Sequence, residues 1–294
     1  MTNQLRLATL AVCLAAAVAN TSAQTAPDLH FEVASLKPSP QGNGRPRPSS
    51  IAGGPGTATP NRLTVRDEFL RRLLLKAYAV KDYQLSAPAW VANPDYQGIA
   101  DRFDIDAAIT PGTTQEQFLV MLQNLLVARF GLKVHREQKE LPVDFLVPGR
   151  NGHKLKENPT PELSNPPSWA SLPRGADGFR AMPPGYTGSD FKLPSEGDMT
   201  WDIKFMRTSA DSLAGSLSVF LRTPVLDRTG LSGNFDFRLT FNMKSTLPGL
   251  PDGHSDAPDI DTAVQSQLGL KLLPGKSLVE MLVIDHVDRT PSSN

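Results

Sequence analysis

Hydrophobic and polar positions along the chain fall into short runs of two periods. Phe31 to Leu36 alternates Phe31, Val33 and Ser35 against Glu32 and Ala34, which predicts a strand. Leu63 and Val65 predict a second strand, entering a helix over Asp67 to Tyr78 whose Phe69, Leu70, Leu73, Leu74 and Ala77 share a face. Arg102 to Ile109 alternates again, with Asp104 and Asp106 assigned to an outward face. Thr114 to Arg129 predicts a second helix, with Thr114 and Gln117 as a capping box and Gly131 as the stop. Its apolar stripe is Phe118, Met121, Leu122, Leu125 and Leu126. Leu132 to Glu137 and Leu141 to Val147 then read as a hairpin, with Pro142 favouring an edge.

The series recurs further on. A strand near Thr200 to Met206 leads to Ser209, a good N-cap, and a helix through Leu213, Leu217 and Phe220. Pro224 to Leu226 is short and extended, Asn234 to Phe241 alternates, and a helix over Asp261 to Leu268 ends at Gly269. Leu270 to Leu273 and Leu278 to Val287 close the chain. Letters recur with the pattern. Arg102-Phe103-Asp104-Ile105 matches Asn234-Phe235-Asp236-Phe237, and Phe130-Gly131-Leu132-Lys133-Val134 matches Leu268-Gly269-Leu270-Lys271-Leu272. Each half thus predicts β-α-β-α-β-β with a terminal hairpin. The expected fold is α+β, in two pseudo-repeated lobes whose sheets are mainly antiparallel or mixed with helices on one face.

Two stretches interrupt this pattern. Pro38 to Pro60 and Asn158 to Thr200 are rich in Pro and Gly, which supply few side chains for a core. The second divides the chain into lobes at 24–157 and 201–294, joined by a linker at 158–200. Trp169, Phe179, Tyr186 and Phe191 give that linker side chains able to pack on a domain surface.

The N-terminus carries the clearest functional signal. Arg6 precedes an apolar run from Leu7 to Val18, and Thr21-Ser22-Ala23 supplies a small-residue cleavage site, the layout of a secretory signal peptide over residues 1–23. The run is short of the roughly 20 apolar residues that span a bilayer, and no later segment of the sequence reaches that length. Cys13, the only cysteine, lies inside this run, so the mature chain has no disulfide, thiol nucleophile or thiolate metal ligand. The 294 residues balance 30 Lys+Arg against 30 Asp+Glu, which gives no basic field for nucleic acid.

Chemical motifs are sparse. Asp227-Arg228-Thr229-Gly230 reads as a tight turn in which Asp227 and Thr229 bond local backbone and Gly230 and Gly233 take positive φ. Arg228-Thr229-Gly230 also resembles the Lys-Thr-Gly strand of penicillin-binding enzymes, but the Ser-x-x-Lys nucleophile that chemistry needs is not read in the chain, since Ser35 and Lys37 have the wrong spacing. His30, His135, His153, His254 and His286 form no His-Glu-x-x-His pair, and Asp285-His286-Val287-Asp288 reads as a solvated strand end. Asp101, Asp104 and Asp106 read as a polar sheet face rather than an acid–base pair. Tyr78, Tyr83, Trp90 and Tyr96 cluster around one loop and suit packing or stacking. No catalytic residue, metal ligand or cofactor is assigned. The candidate binding residues are Tyr83, Trp90, Asp227 and Arg228.

The chain resembles a family of soil-associated exported proteins, found in large paralogous sets in Acidobacteria and defined by a domain of unknown function. The resemblance rests on Phe31 to Ser39, Ala77-Tyr78, Tyr83-Gln84-Leu85, Trp90, Arg102 to Ile105, Leu125 to Phe130, His135-Arg136-Glu137 and Lys139 to Val143. In the second half it rests on Pro224 to Gly233 and Val283 to Val287, with Arg228 where Lys is usual. It implies export, and some relatives are fused to membrane zinc-peptidase sensors, which implies sensing. It carries over no catalytic residue.

Together these readings predict an exported, non-catalytic binding or sensing module of the cell envelope. Its ligand is expected to be a small molecule in a groove between lobes, or a cell-envelope protein added along an edge such as Leu141 to Val147. The alternatives are a hydrolase of envelope or extracellular polymer, and a structural envelope protein.

Overall fold

Among the described residues, alternation builds three sheets of four strands each. The computed structural model describes residues 29–40, 49–92, 102–164, 166–167, 169–192, 198–242 and 255–293. The expected signal peptide with Cys13 lies outside these residues, as do Tyr96, Asp101 and His254.

The chain begins β1 (Val33–Pro38), β2 (Ser50–Gly53), β3 (Arg62–Phe69), α1 (Leu70–Ala77), β4 (Leu85–Ser86), α2 (Ala89–Ala92), β5 (Arg102–Ala108), α3 (Gln115–Phe130) and β6 (Lys133–Pro148). It continues β7 (Lys156–Glu157), β8 (Gly188–Phe191), β9 (Thr200–Thr208), α4 (Ala210–Leu221), β10 (Val225–Asp227), β11 (Phe235–Asn242), α5 (Ile260–Ala263) and β12 (Leu270–His286). Apart from the short α2, the second series has the order of the first. Strand orders correspond as well: β1-β5-β3-β2 in one outer sheet and β7-β11-β9-β8 in the other.

Helices cover one face of each outer sheet. Leu63, Val65, Phe103 and Ile105 meet Leu73 and Leu74 of α1 and Phe118, Leu122 and Leu126 of α3 in the first core. Ile203, Phe205, Leu239 and Phe241 meet Leu213 and Leu217 of α4 and Ile260 and Ala263 of α5 in the second. Fully burying each such Leu or Phe contributes about 1.5–3 kcal/mol. The capping box of α3 is present, with the Thr114 hydroxyl accepting from the Gln117 N–H, and Gly131 ends the helix at φ 56°.

The first predicted helix starts late, at Leu70 rather than Asp67, because β3 carries a bulge between Val65 and Glu68. Asp67 sits there at φ 53°, and its N–H donates to Asp104 at 2.9 Å. The other outer sheet repeats this arrangement. Arg207 sits at φ 50°, and its N–H donates to Asp236, also at 2.9 Å. The recurring Phe-Asp pair is thereby explained: Phe103 and Phe235 fill the two cores, and the following aspartate clamps a bulge in the neighbouring strand.

The two expected terminal hairpins are replaced by two unbroken strands that pair with each other. β6 and β12 run antiparallel from Leu270↔Pro148 to Ile284↔Val134. No Gly, Asn or Asp stands between Glu137 and Leu141 to turn the chain. In β12, Gly275 serves packing instead, because a Cβ there would come within 2.6 Å of the Phe145 ring. Each strand takes a short parallel neighbour from the opposite half: β10 against Asp144–Leu146 of β6, and β4 against Leu282–Val283 of β12. Pro142 and Pro274 fall outside those short contacts, where each strand has one open side. The ribbon contributes Leu282 and Ile284 to the first core and Leu146 and Leu270 to the second.

Candidate functional site

The outward face of the second outer sheet differs most from simple solvated strand. Its β9 and β11 rows place Asp202, Lys204 and Arg238 opposite the core-facing Ile203, Phe205, Leu239 and Phe241. The Arg238 guanidinium donates twice to the Asp202 carboxylate, and Lys192 Nζ lies 3.4 Å from it. Burial pushes the Asp202 carboxyl up, but Arg238 and Lys192 outweigh it and hold the group below its usual value.

A roof closes over this face. The chain between β7 and β8 folds back so that Leu172, Phe179 and Tyr186 are buried. Its tip is a tight loop: Gly175 N–H donates to the Phe179 carbonyl at 2.7 Å, and Phe179 N–H donates to the Asp177 carboxylate at 3.1 Å. Gly178, at φ 81°, lets the loop turn where a side chain would press on Lys192. Phe179 is thereby set among cations, its ring 5.0 Å from Lys192 Nζ, 5.2 Å from the Arg238 guanidinium and 6.0 Å from Lys204 Nζ. Trp169, on the outside of the roof, stacks on Arg180 at 4.0 Å.

Between roof and sheet lies a hollow of about 480 Å³, lined by Lys156, Asp177, Phe179, Lys204, Met206 and Arg238 together with Phe205, Asp236 and Phe237. That volume is within the usual range for small-ligand sites, roughly 300–1,000 Å³. Asp190 lies across from Lys204 on β8, fully buried; one oxygen accepts from Arg180 N–H and the other has no hydrogen-bond partner.

The residues singled out from sequence lie elsewhere. Tyr83 packs with Leu141, Val143, Phe145, Leu226, Val279 and Met281 in a small apolar cluster on the ribbon, at the seam between the halves. Asp227 and Arg228 follow Leu226 on the same seam. The Asp227 carboxylate accepts from the Thr229 N–H and hydroxyl at 2.8 and 2.7 Å, with Gly230 and Gly233 at φ 70° and 94°, which makes the local turn read from the sequence. The Arg228 guanidinium stands 5.9 Å from the Phe145 ring. Trp90 packs against the first core, 5.9 Å from Arg289. Tyr83, Asp227 and Arg228 are thus neighbours of one ribbon, and Trp90 is apart from them.

Several expectations change. Asp104 lies on the face away from the core-facing Phe103 and Ile105, as expected, but is buried there rather than solvated, accepting from Ser39 at 2.7 Å and from Asp67 N–H, because the bulge in β3 closes over it. Asp106 is outward and pairs with Arg62 and Arg66 at 3.1 and 2.9 Å. The edge proposed for strand addition, Leu141 to Val147, is paired with β12 throughout, and β10 takes its other side over Asp144–Leu146. Where a groove between the halves was expected, the seam is filled by the Tyr83 cluster. Ser189-Asp190-Phe191-Lys192 does have Ser-x-x-Lys spacing, which the pattern reading passes over. On strand β8, however, Ser189 faces the Phe205 row while Lys192 reaches Asp202, so the two do not meet.

His135 Nδ1 lies 2.8 Å from Asp285, and that hydrogen bond raises the imidazole pKa. Both side chains are about half exposed, with Glu137 a further 3.9 Å from the ring, so this is a surface ion pair rather than a sheltered base. Among the described residues no three His, Cys, Asp or Glu side chains gather as a metal site, and no helix is long and apolar enough to cross a membrane.

The hollow's own residues, Lys156, Lys204, Met206 and Arg238, carry no motif. The signal that points to them is the pair of glycines flanking Asp177, together with Phe179. Residues 71–287 match a family described as a protein of unknown function (DUF3738). No curated protein and no solved structure matches the chain.

Proposed function

Since the chain belongs to the DUF3738 family, whose function is unknown, we propose from its own residues that it is an exported binding module of the cell envelope that holds a small ligand in the roofed hollow of its second half. The hollow carries this reading. The sheet in the first half is built in the same strand order, yet the 158–187 segment that roofs the second has no counterpart of comparable length between β1 and β2. Ordering a long Pro/Gly-rich segment into an aromatic-tipped roof costs conformational entropy, which burial of Leu172, Phe179 and Tyr186 offsets, and long ordered loops of this kind are usually functional. Export rests on the signal-peptide layout of residues 1–23, and a sensing role on the resemblance to soil-associated exported proteins. The halves are read as copies of one unit, supported by their shared element order and by the aspartate-clamped bulge in each.

The test is a thermal-shift screen of residues 24–294 with peptidoglycan fragments, oligosaccharides and β-lactams. A ligand at 100 times its Kd adds about 2.7 kcal/mol, and Met206→Trp, which fills the hollow, should abolish that rise. A shift that survives Met206→Trp, or turnover of any panel member, overturns the reading.

A further inference from the structure

The hollow shows which chemistry it takes. Its two carboxylates are already occupied. Both oxygens of Asp236 accept from the Asn158 amide at 2.9 Å, and one also accepts from Arg207 N–H. Asp177 caps its own loop through Phe179 N–H, and its other oxygen is 3.8 Å from Lys204. Arg238 is likewise committed, by its two bonds to Asp202.

The lysines are not committed in this way. Lys156 lines the hollow, is exposed, and makes no ion pair among the described residues; only its backbone is engaged, opposite Asp236. Lys204 has the single long contact to Asp177 and stands at the edge of the Phe179 ring. The hollow therefore offers the Lys156 ammonium, without a counterion among the described residues, and the Lys204 ammonium with one distant counterion, beside the partly exposed Met206 side chain. An incoming cation would be repelled by the Lys156 and Lys204 ammonium groups and by the Arg238 guanidinium that line the same hollow. A neutral polar molecule would gain from the ammonium groups no more than water already supplies, whereas an anion adds charge to the hydrogen bonds.

The geometry points to an organic carboxylate with an apolar or aromatic body as the hollow's ligand: the anion reaches Lys156 and Lys204, and the body lies along Met206. This rests on the reading of the hollow as the binding site. The experiment uses three probes with one body and different heads: 4-phenylbutanoate, 4-phenylbutanol and 4-phenylbutylamine. They are titrated into the ¹⁵N-labelled chain and followed by amide shifts of β9, β11 and the roof. The carboxylate should bind at least about tenfold tighter than the alcohol, with the amine weakest, and the double variant Lys156→Gln/Lys204→Gln should bring carboxylate and alcohol to equal affinity. Both lysines are surface side chains, so their replacement leaves the fold intact, which the unchanged shifts of β3 and β5 would verify. An alcohol or amine that binds as tightly as the carboxylate overturns the ligand class and leaves the site standing. If none of the three perturbs β9, β11 or the roof, the hollow itself is refuted as a small-molecule site.

Discussion

At Asp202, burial and two cations pull in opposite directions. Loss of solvent favours the neutral acid, but Arg238 and Lys192 favour the carboxylate and prevail, so the folded pKa lies below the ordinary value of 3.8. A carboxylate titrating lower in the fold than in the unfolded chain adds stability above that ordinary value, and the contribution is lost as pH falls through the folded one. Asp202→Asn should therefore lower Tm at neutral pH and lose less Tm than the parent on acidification from about pH 5 to 3, by calorimetry. The equivalent place in the first half holds the pair with its signs reversed: Asp106 on β5 faces Arg62 and Arg66 on β3, where Arg238 on β11 faces Asp202 on β9. The bulges differ in the same manner. Arg102 bonds the Asp67 carboxylate at 2.9 Å in one half, and in the other the Asn234 amide exchanges hydrogen bonds with Arg207. A non-glycine residue at positive φ costs on the order of 1–3 kcal/mol, and each half meets it with an aspartate, buried at Asp104 and partly buried at Asp236, and a second polar partner.

Helix ends show where element-level chemistry is incomplete. α3 and α4 both finish on a left-handed residue, Gly131 at φ 56° and Arg222 at φ 54°. Only glycine takes that conformation without Cβ strain, so Arg222→Gly should raise stability by about 0.5–1 kcal/mol, read as an increase in Tm or in denaturant midpoint. Most elements were legible because their signals are local: caps at Thr114 and Ser209, stops at Gly131 and Gly269, and alternation in β5 and β11 each lie within a few residues. Two features were illegible for the opposite reason. The unbroken course of β6 depends on β12, more than 120 residues away, and a bulge is fixed by its cross-strand partner rather than by its own letters. The hollow has the same character, since Lys156, Phe179, Lys204 and Arg238 come from four separate segments and none lies in a motif.

On the scale of the whole molecule, the ribbon of β6 and β12 makes two cores into one cooperative unit. Each long strand feeds one core at each end, and Lys81 on the first half pairs with Asp211 on the second. Leu282→Ala, in the first core, should cost about 2–5 kcal/mol and lower hydrogen-exchange protection in β9 and β11 by the same amount as in β3 and β5. Protection lost only in β3 and β5 would mean that the halves open independently.

That shared ribbon also sets an order of events in time. β6 is synthesised more than 120 residues before its partner β12, so this strand lacks its long neighbour until β12 has emerged. Closure over such sequence distance is slow, because a long loop must be fixed before any contact rewards it. A chain assembled this way stays threadable until β12 has been made, which suits the export proposed above.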